Sequence, residues 1–217
     1  MASSKEKYPV FRDDLEMCKS QDRIKKFYED CQSKYEFSKQ IVTFNNITDY
    51  CISLLNEFIN NDIKESVILN LESDCDDTGY ALHKAGFLRV HGIVTDPKRL
   101  SLAQNKDIYA KVRVYDKNLQ TLPFDNDIYD GIICTGVMFS SHLTISNAIP
   151  EFCRILHIGG YAMFSFDDNE LDPRSLMSAL GEAMFNQTLE ICVMESHNFN
   201  GKDGVREYCY WCLVRAI

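Results

Sequence analysis

Val67 to Pro97 reads VILNLESDCDDTGYALHKAGFLRVHGIVTDP, and the succession of patterns inside it decides the fold class. Val67 to Leu71 is a short apolar run bounded by polar clusters, which predicts a buried strand. An acidic loop follows, and then a helical stretch that closes at Ala85-Gly86-Phe87. Gly86 suits the left-handed residue that ends a helix. Val90 to Val94 predicts a second strand. Asp96-Pro97 opens another helix, with Asp96 as N-cap and Pro97 at the first helical position. Strand, helix, strand, helix in this order predicts a parallel sheet covered on both faces.

Downstream the alternation continues. Lys111 to Tyr115 alternates as a third strand. The turn-like Phe124-Asp125-Asn126-Asp127 introduces a fourth, Tyr129 to Thr135. A helix is predicted around Ala148 to Leu156, starting near Pro150. Gly159-Gly160 breaks it and leads into a fifth strand, Tyr161 to Phe166. A helix over Pro173 to Asn186 precedes two apolar segments, Leu189 to Glu195 and Arg206 to Val214. The polar, glycine-containing stretch from Asn198 to Gly204 joins them as an antiparallel hairpin. The prediction is therefore an α/β domain with a doubly wound, mostly parallel seven-stranded sheet.

Upstream, Ile47, Tyr50, Cys51, Leu54 and Phe58 form one helical stripe, with Asn46 or Thr48 available as cap. Ile24, Phe27, Tyr28 and Cys31 suggest another helix from Asp22 to about Asp30. Residues 1–20 lack periodicity and are expected to be a mobile tail. The domain is expected to span residues 21–217, with a helical preface over 21–62 and the core over 63–217.

The chain has 217 residues, 45% hydrophobic and 25% charged, which is ordinary for a globular protein. The formal charge is −9. Its basic residues are scattered (Lys25-Lys26, Lys98-Arg99, Lys111 with Arg113), so nucleic acid is a disfavoured partner. No apolar run approaches the ~20 residues of a spanning helix, so no membrane segment is expected. The N-terminus has no apolar stretch behind its charges, which predicts an intracellular, cytoplasmic protein. The nine cysteines are then expected to be reduced. Cys209 and Cys212 spell C-x-x-C on a predicted strand, where positions i and i+3 point to opposite faces and do not chelate one metal.

Four segments carry a family resemblance. Ile68-Leu69-Asn70-Leu71, Gly92 to Pro97, Leu122-Pro123-Phe124 with Tyr129 to Cys134, and Ala148 to Gly160 occur in order and at suitable spacing. Together they resemble the class I S-adenosylmethionine-dependent methyltransferases of the type 11 kind. The resemblance implies a Rossmann-like sheet with a C-terminal antiparallel hairpin. It also implies S-adenosylmethionine as cofactor and a small-molecule or protein methyl acceptor.

The cofactor would lie at the carboxyl ends of the strands. The resemblance assigns cofactor contacts to Asn70, Leu71 and Glu72 after the first strand, Asp96 after the second, Asp116 after the third and Thr135 after the fourth. It also implies glycines in the first loop. Aligned without gaps from Ile68 to Phe87, those positions fall on Asp74 and Asp76. A shifted register, which needs about three inserted residues, puts Asp77-Thr78-Gly79 there instead. The acid that holds the ribose falls on Val94, and Asp96 lies two residues on, where capping already accounts for it.

Glu72, Asp74 and Asp76 alternate as in a calcium loop, but Asp77 stands where glycine is needed and His83 where glutamate is needed. A solvated helix-start loop is the expectation, with no metal. His142 is read as an exposed loop histidine, Tyr28 and Tyr35 as packing aromatics, and Cys134 as core. No residue is assigned a catalytic role, because in-line methyl transfer relies on positioning and desolvation. The joint absence of loop glycines and ribose acid leaves a second expectation open: a protein of this fold that no longer methylates and serves as a binding or scaffolding partner.

Overall fold

The computed structural model describes residues 47–59, 62–71, 77–94, 96–105, 107–116, 119, 121–135, 145–167, 173–200 and 206–217, and among these the polar punctuation of the chain leaves seven strands and five helices. The order is α1 (Ile47–Phe58), β1 (Val67–Asn70), α2 (Asp77–Ala85), β2 (Arg89–Val94), α3 (Pro97–Gln104), β3 (Lys111–Val114), β4 (Tyr129–Thr135), α4 (Ile145–Ile155), β5 (Leu156–Asp167), α5 (Pro173–Phe185), β6 (Leu189–Asn200) and β7 (Arg206–Ala216). The expected tail and the helix near Asp22 lie outside the described residues.

The strands form one sheet in the order β3-β2-β1-β4-β5-β7-β6. β1 to β5 run parallel, and β7 inserts antiparallel between β5 and β6. The α/β class, the seven strands and the closing hairpin agree with the sequence prediction.

Each face of the sheet buries its own apolar set. Ile68, Ile133, Met163 and Leu213 pack with α1 and α2 through Leu55, Phe58 and Leu82. Leu69, Ile132, Phe164 and Val214 pack with α4 and α5 through Phe152 and Leu180. Cys134 is fully buried in this second layer, as expected of a core residue. The alternation of neighbours such as Ile68 and Leu69 between the two layers follows from the two-residue period of a strand.

Three local devices fix the register. Asp130 accepts a hydrogen bond from the Val67 amide at 2.8 Å, tying the entry of β1 to β4. At Gly131 an added Cβ would come within 2.8 Å of Ile68 Cδ1 and 3.3 Å of Ile59 Cδ1, so the missing side chain lets the residues around α1 settle on the sheet. Gly86 has φ +104, the left-handed closure predicted for α2.

Two boundaries differ from expectation. α4 starts at Ile145, so Pro150 stands inside it rather than at its start. Proline removes one amide donor there. The helix keeps its path because Ala148, Ile149, Phe152 and Ile155 are buried around that position, so tertiary packing outweighs the local penalty. β5 begins at Leu156 instead of Tyr161. Leu156 lies opposite Tyr129 and Tyr161 opposite Gly131, so His157 to Gly160 bulge out of the ladder. Gly159 has φ +86 in this bulge, and a Cβ added at Gly160 would come within 2.9 to 3.2 Å of the carbonyl oxygens of Tyr129, His157 and Asp130. The glycine pair makes a bulge rather than a helix-to-strand turn.

Candidate functional site

β1 and β4 are neighbours, yet the helices that follow them cover opposite faces. The helix after β1 packs with Ile68 and Ile133, and the helix after β4 packs with Leu69 and Ile132. The chain therefore leaves these two strands in opposite directions. That is the topological switch point where open α/β sheets bind ligands. Leu71 extends the pairing one residue beyond β1 by donating its amide to the Ile133 carbonyl at 3.0 Å, and it is buried.

Asn70 ends β1 with a fully buried side chain. Its Nδ2 donates to the Tyr109 hydroxyl at 2.9 Å. Tyr109 comes from the segment before β3, and its ring also occupies the space a Cβ on Gly79 would need. Thr78 and Gly79 are buried in the first turn of α2. The Gly79 of the shifted register thus serves the close approach of α2 to Tyr109.

At the end of β2, Val94 is fully buried and packs with Ala103 and Val112. Its carbonyl accepts from the Tyr115 amide at 2.8 Å. Asp96 is exposed, with φ −95 and ψ 115, and its carboxylate accepts from the Lys98 amide at 2.9 Å. The N-cap reading is the geometry observed.

Beyond β3, the Tyr115 ring is buried and its hydroxyl donates to the Leu119 carbonyl. Burial, and then the nearby Glu151 and Asp116, hold that phenol above its ordinary pKa. Asp116 is exposed, and its carbonyl accepts from the Leu119 amide at 2.9 Å, opening a turn. Thr135 is the last residue of β4, opposite Ser165. The backbone thus brings Asn70, Leu71, Asp116 and Thr135 to one edge of the sheet, with Asp96 just beyond β2. Glu72, Asp74, Asp76, His142, Tyr28 and Tyr35 lie outside the described residues. Among the described residues no group of three His, Cys, Asp or Glu side chains is placed to hold a metal ion.

Two constellations away from this edge escaped sequence reasoning. Arg154 donates to both carboxylate oxygens of Glu151, at 2.7 Å each, and to the carbonyls of Phe124 (2.7 Å) and Leu122 (3.1 Å). Glu151 accepts from the Leu122 amide at 2.7 Å. The pair pins the irregular segment that covers the sheet between β3 and β4. His91 and Tyr129 share a hydrogen bond at 3.1 Å with their rings edge to face. Burial, reinforced by Lys111, Arg89 and Arg113, pushes His91 down to about 4. Burial also raises the Tyr129 phenol. The signal for the first constellation was present in the spacing of Glu151 and Arg154. Nothing in the sequence marks Tyr109, which meets Asn70 across 39 positions.

Comparison with known proteins agrees with this geometry. Residues 78–164 match the profile of the family described as "Methyltransferase domain". No curated protein matches the chain by sequence. Among solved structures, the S-adenosylmethionine-dependent methyltransferase of Methanosarcina mazei superposes with TM-score 0.57 at 14% identity, covering 76% of this chain and 97% of its own. A TehB-like S-adenosylmethionine-dependent methyltransferase of Corynebacterium glutamicum gives 0.57 at 15% identity, over 90% of this chain and 97% of its own. The [4+2]-cyclase SpnF gives 0.58 at 13% identity, over 77% and 80%. The chain carries the class I methyltransferase fold, and its segment 78–164 matches a methyltransferase-domain family.

Proposed function

We propose that this chain is a divergent S-adenosylmethionine-dependent methyltransferase that acts in the cytoplasm on a small-molecule or protein acceptor. The observation that carries this reading is the topological switch point between β1 and β4, within a chain whose residues 78–164 match a methyltransferase domain. In this reading Asn70, Leu71 and Glu72 lie along the methionine end of the cofactor, Asp116 meets the adenine, and Thr135 lies beside the acceptor. The cofactor, when bound, supplies an electrophilic methyl group. The chain orients the acceptor in line with it and excludes water, which is what such a transfer asks of a protein. The residues at the end of β2 do not fit the ribose: Val94 offers no side-chain oxygen, and Asp96 is engaged as a cap.

The short segments Phe27-Tyr28, Lys34-Tyr35-Glu36, Ala85-Gly86-Phe87 and Ala148 to Glu151 point, within this reading, to the methyltransferase-like protein of the Williams–Beuren syndrome region as a near relative.

The apolar end of β2 favours one alternative, a catalytically inactive protein of this fold that binds or scaffolds a protein partner. The neighbour named as a [4+2]-cyclase is a reminder that the fold is not tied to one reaction. Calorimetric titration with S-adenosylmethionine and S-adenosylhomocysteine, alongside thermal denaturation, separates the two. Ligand at a hundred times its dissociation constant stabilises the fold by about 2.7 kcal/mol. Micromolar binding supports the methyltransferase reading. No heat and no thermal shift at millimolar ligand overturns it and leaves the scaffold.

A further inference from the structure

We infer that this chain holds the adenosine of its cofactor without a carboxylate on the ribose hydroxyls, an inference that rests on the methyltransferase reading above. In dinucleotide sites of this topology an acid past the second strand takes up the ribose diol. Here the strand ends on Val94, whose side chain has no exposed surface and is enclosed by Ala103 and Val112. Its carbonyl is turned into the sheet, where it accepts from the Tyr115 amide.

The next acid, Asp96, sits in an extended conformation with its Oδ1 2.9 Å from the Lys98 amide. That contact satisfies one of the amides a helix start leaves open. Asp96 thus commits Oδ1 to capping α3, and it stands two residues beyond the end of the strand. Thr95, between the two, lies outside the described residues and carries no acid. Asp116 belongs to the neighbouring strand and opens the turn to Leu119. Affinity must then come from the ends of β1, β3 and β4, and the sugar hydroxyls add little to it.

The test compares S-adenosylhomocysteine with its 2′-deoxy analogue on the full chain by calorimetry, and repeats the titration on Asp96→Ser. A hydrogen bond to a carboxylate is worth about 10- to 100-fold in affinity. Loss of a hydroxyl that meets no carboxylate is expected to change the dissociation constant by less than about threefold. Serine is a good N-cap, so Asp96→Ser removes the carboxylate and keeps the helix start. It too is expected to bind within about threefold of the parent. A loss of about tenfold or more with the deoxy analogue overturns the inference, and the same loss in Asp96→Ser overturns it and assigns the ribose to Asp96. Either result leaves the methyltransferase reading standing. If the parent chain binds neither compound, that reading and the inference fall together.

Discussion

Arg154 and Glu151 face each other one turn apart on α4 through two contacts of 2.7 Å, and both reach past each other to the backbone of Leu122. Two parallel N–H···O bonds to one carboxylate are the strong form of a charge pair. Glu151 is 8% exposed, so removing its partner leaves a nearly buried charge. Arg154→Ala is expected to cost about 3 kcal/mol in urea unfolding. Arg154→Lys keeps the charge without the fork and is expected to recover less than half of that loss. Equal stability of both variants with the parent would show that the pair contributes nothing.

His91 predicts a pH dependence. Its folded pKa of about 4 lies below the ordinary 6.5, so the fold favours the neutral ring. The unfolded chain binds this proton first as pH falls. The stability it contributes is complete above 6.5 and is lost as pH falls to about 4. The loss amounts to about 3 kcal/mol across that window. His91→Gln is expected to flatten this part of the stability profile. Parallel profiles for the two proteins would contradict the assignment.

Gly159 and Gly160 should differ in kind. Gly159 has φ +86, and the atoms nearest to its missing Cβ belong to Arg215 at 3.7 Å, so Gly159→Ala meets backbone strain alone. A loss of about 1 kcal/mol is expected. At Gly160 the obstacle is backbone, with the Tyr129 carbonyl 2.9 Å from a new Cβ. Gly160→Ala is expected to cost about 2–3 kcal/mol, because carbonyls in a ladder cannot step aside as a side chain can. Thermal denaturation of both variants tests the order.

Tyr109→Phe removes the acceptor of the 2.9 Å bond from Asn70 while keeping the ring against Gly79. About 1 kcal/mol of stability is expected to go with it. If Asn70 borders the cofactor, S-adenosylhomocysteine affinity should fall as well, and calorimetry reads that separately from unfolding. An unchanged dissociation constant would confine the pair to a structural role.

Local chemistry carried the fold into the sequence. Short apolar runs between polar clusters gave β1, β2 and β4, because a strand buried on both faces has no polar side to display, and the alternation of Lys111 to Tyr115 gave the edge strand β3. Asp96 with Pro97, and Gly86 at φ +104, announced a helix start and a helix end for reasons confined to a few residues of backbone. The start of α4 was hidden because its stability comes from Ala148, Ile149 and Phe152 in the core, which no local preference of Pro150 reports. The bulge at Gly159-Gly160 was hidden because a glycine pair serves a turn and a bulge alike until the partner strand sets the register.

The order of types along the chain also determined which loops gather at one sheet edge, since parallel strands send all their carboxyl ends the same way. Tertiary structure alone decided what stands there. It turned Val94 into the core beside Ala103 and Val112 and brought Tyr109 across 39 positions to Asn70. The position of a residue in the sequence specifies the strand end it occupies. Whether its oxygens meet a ligand depends on which distant groups have already taken them.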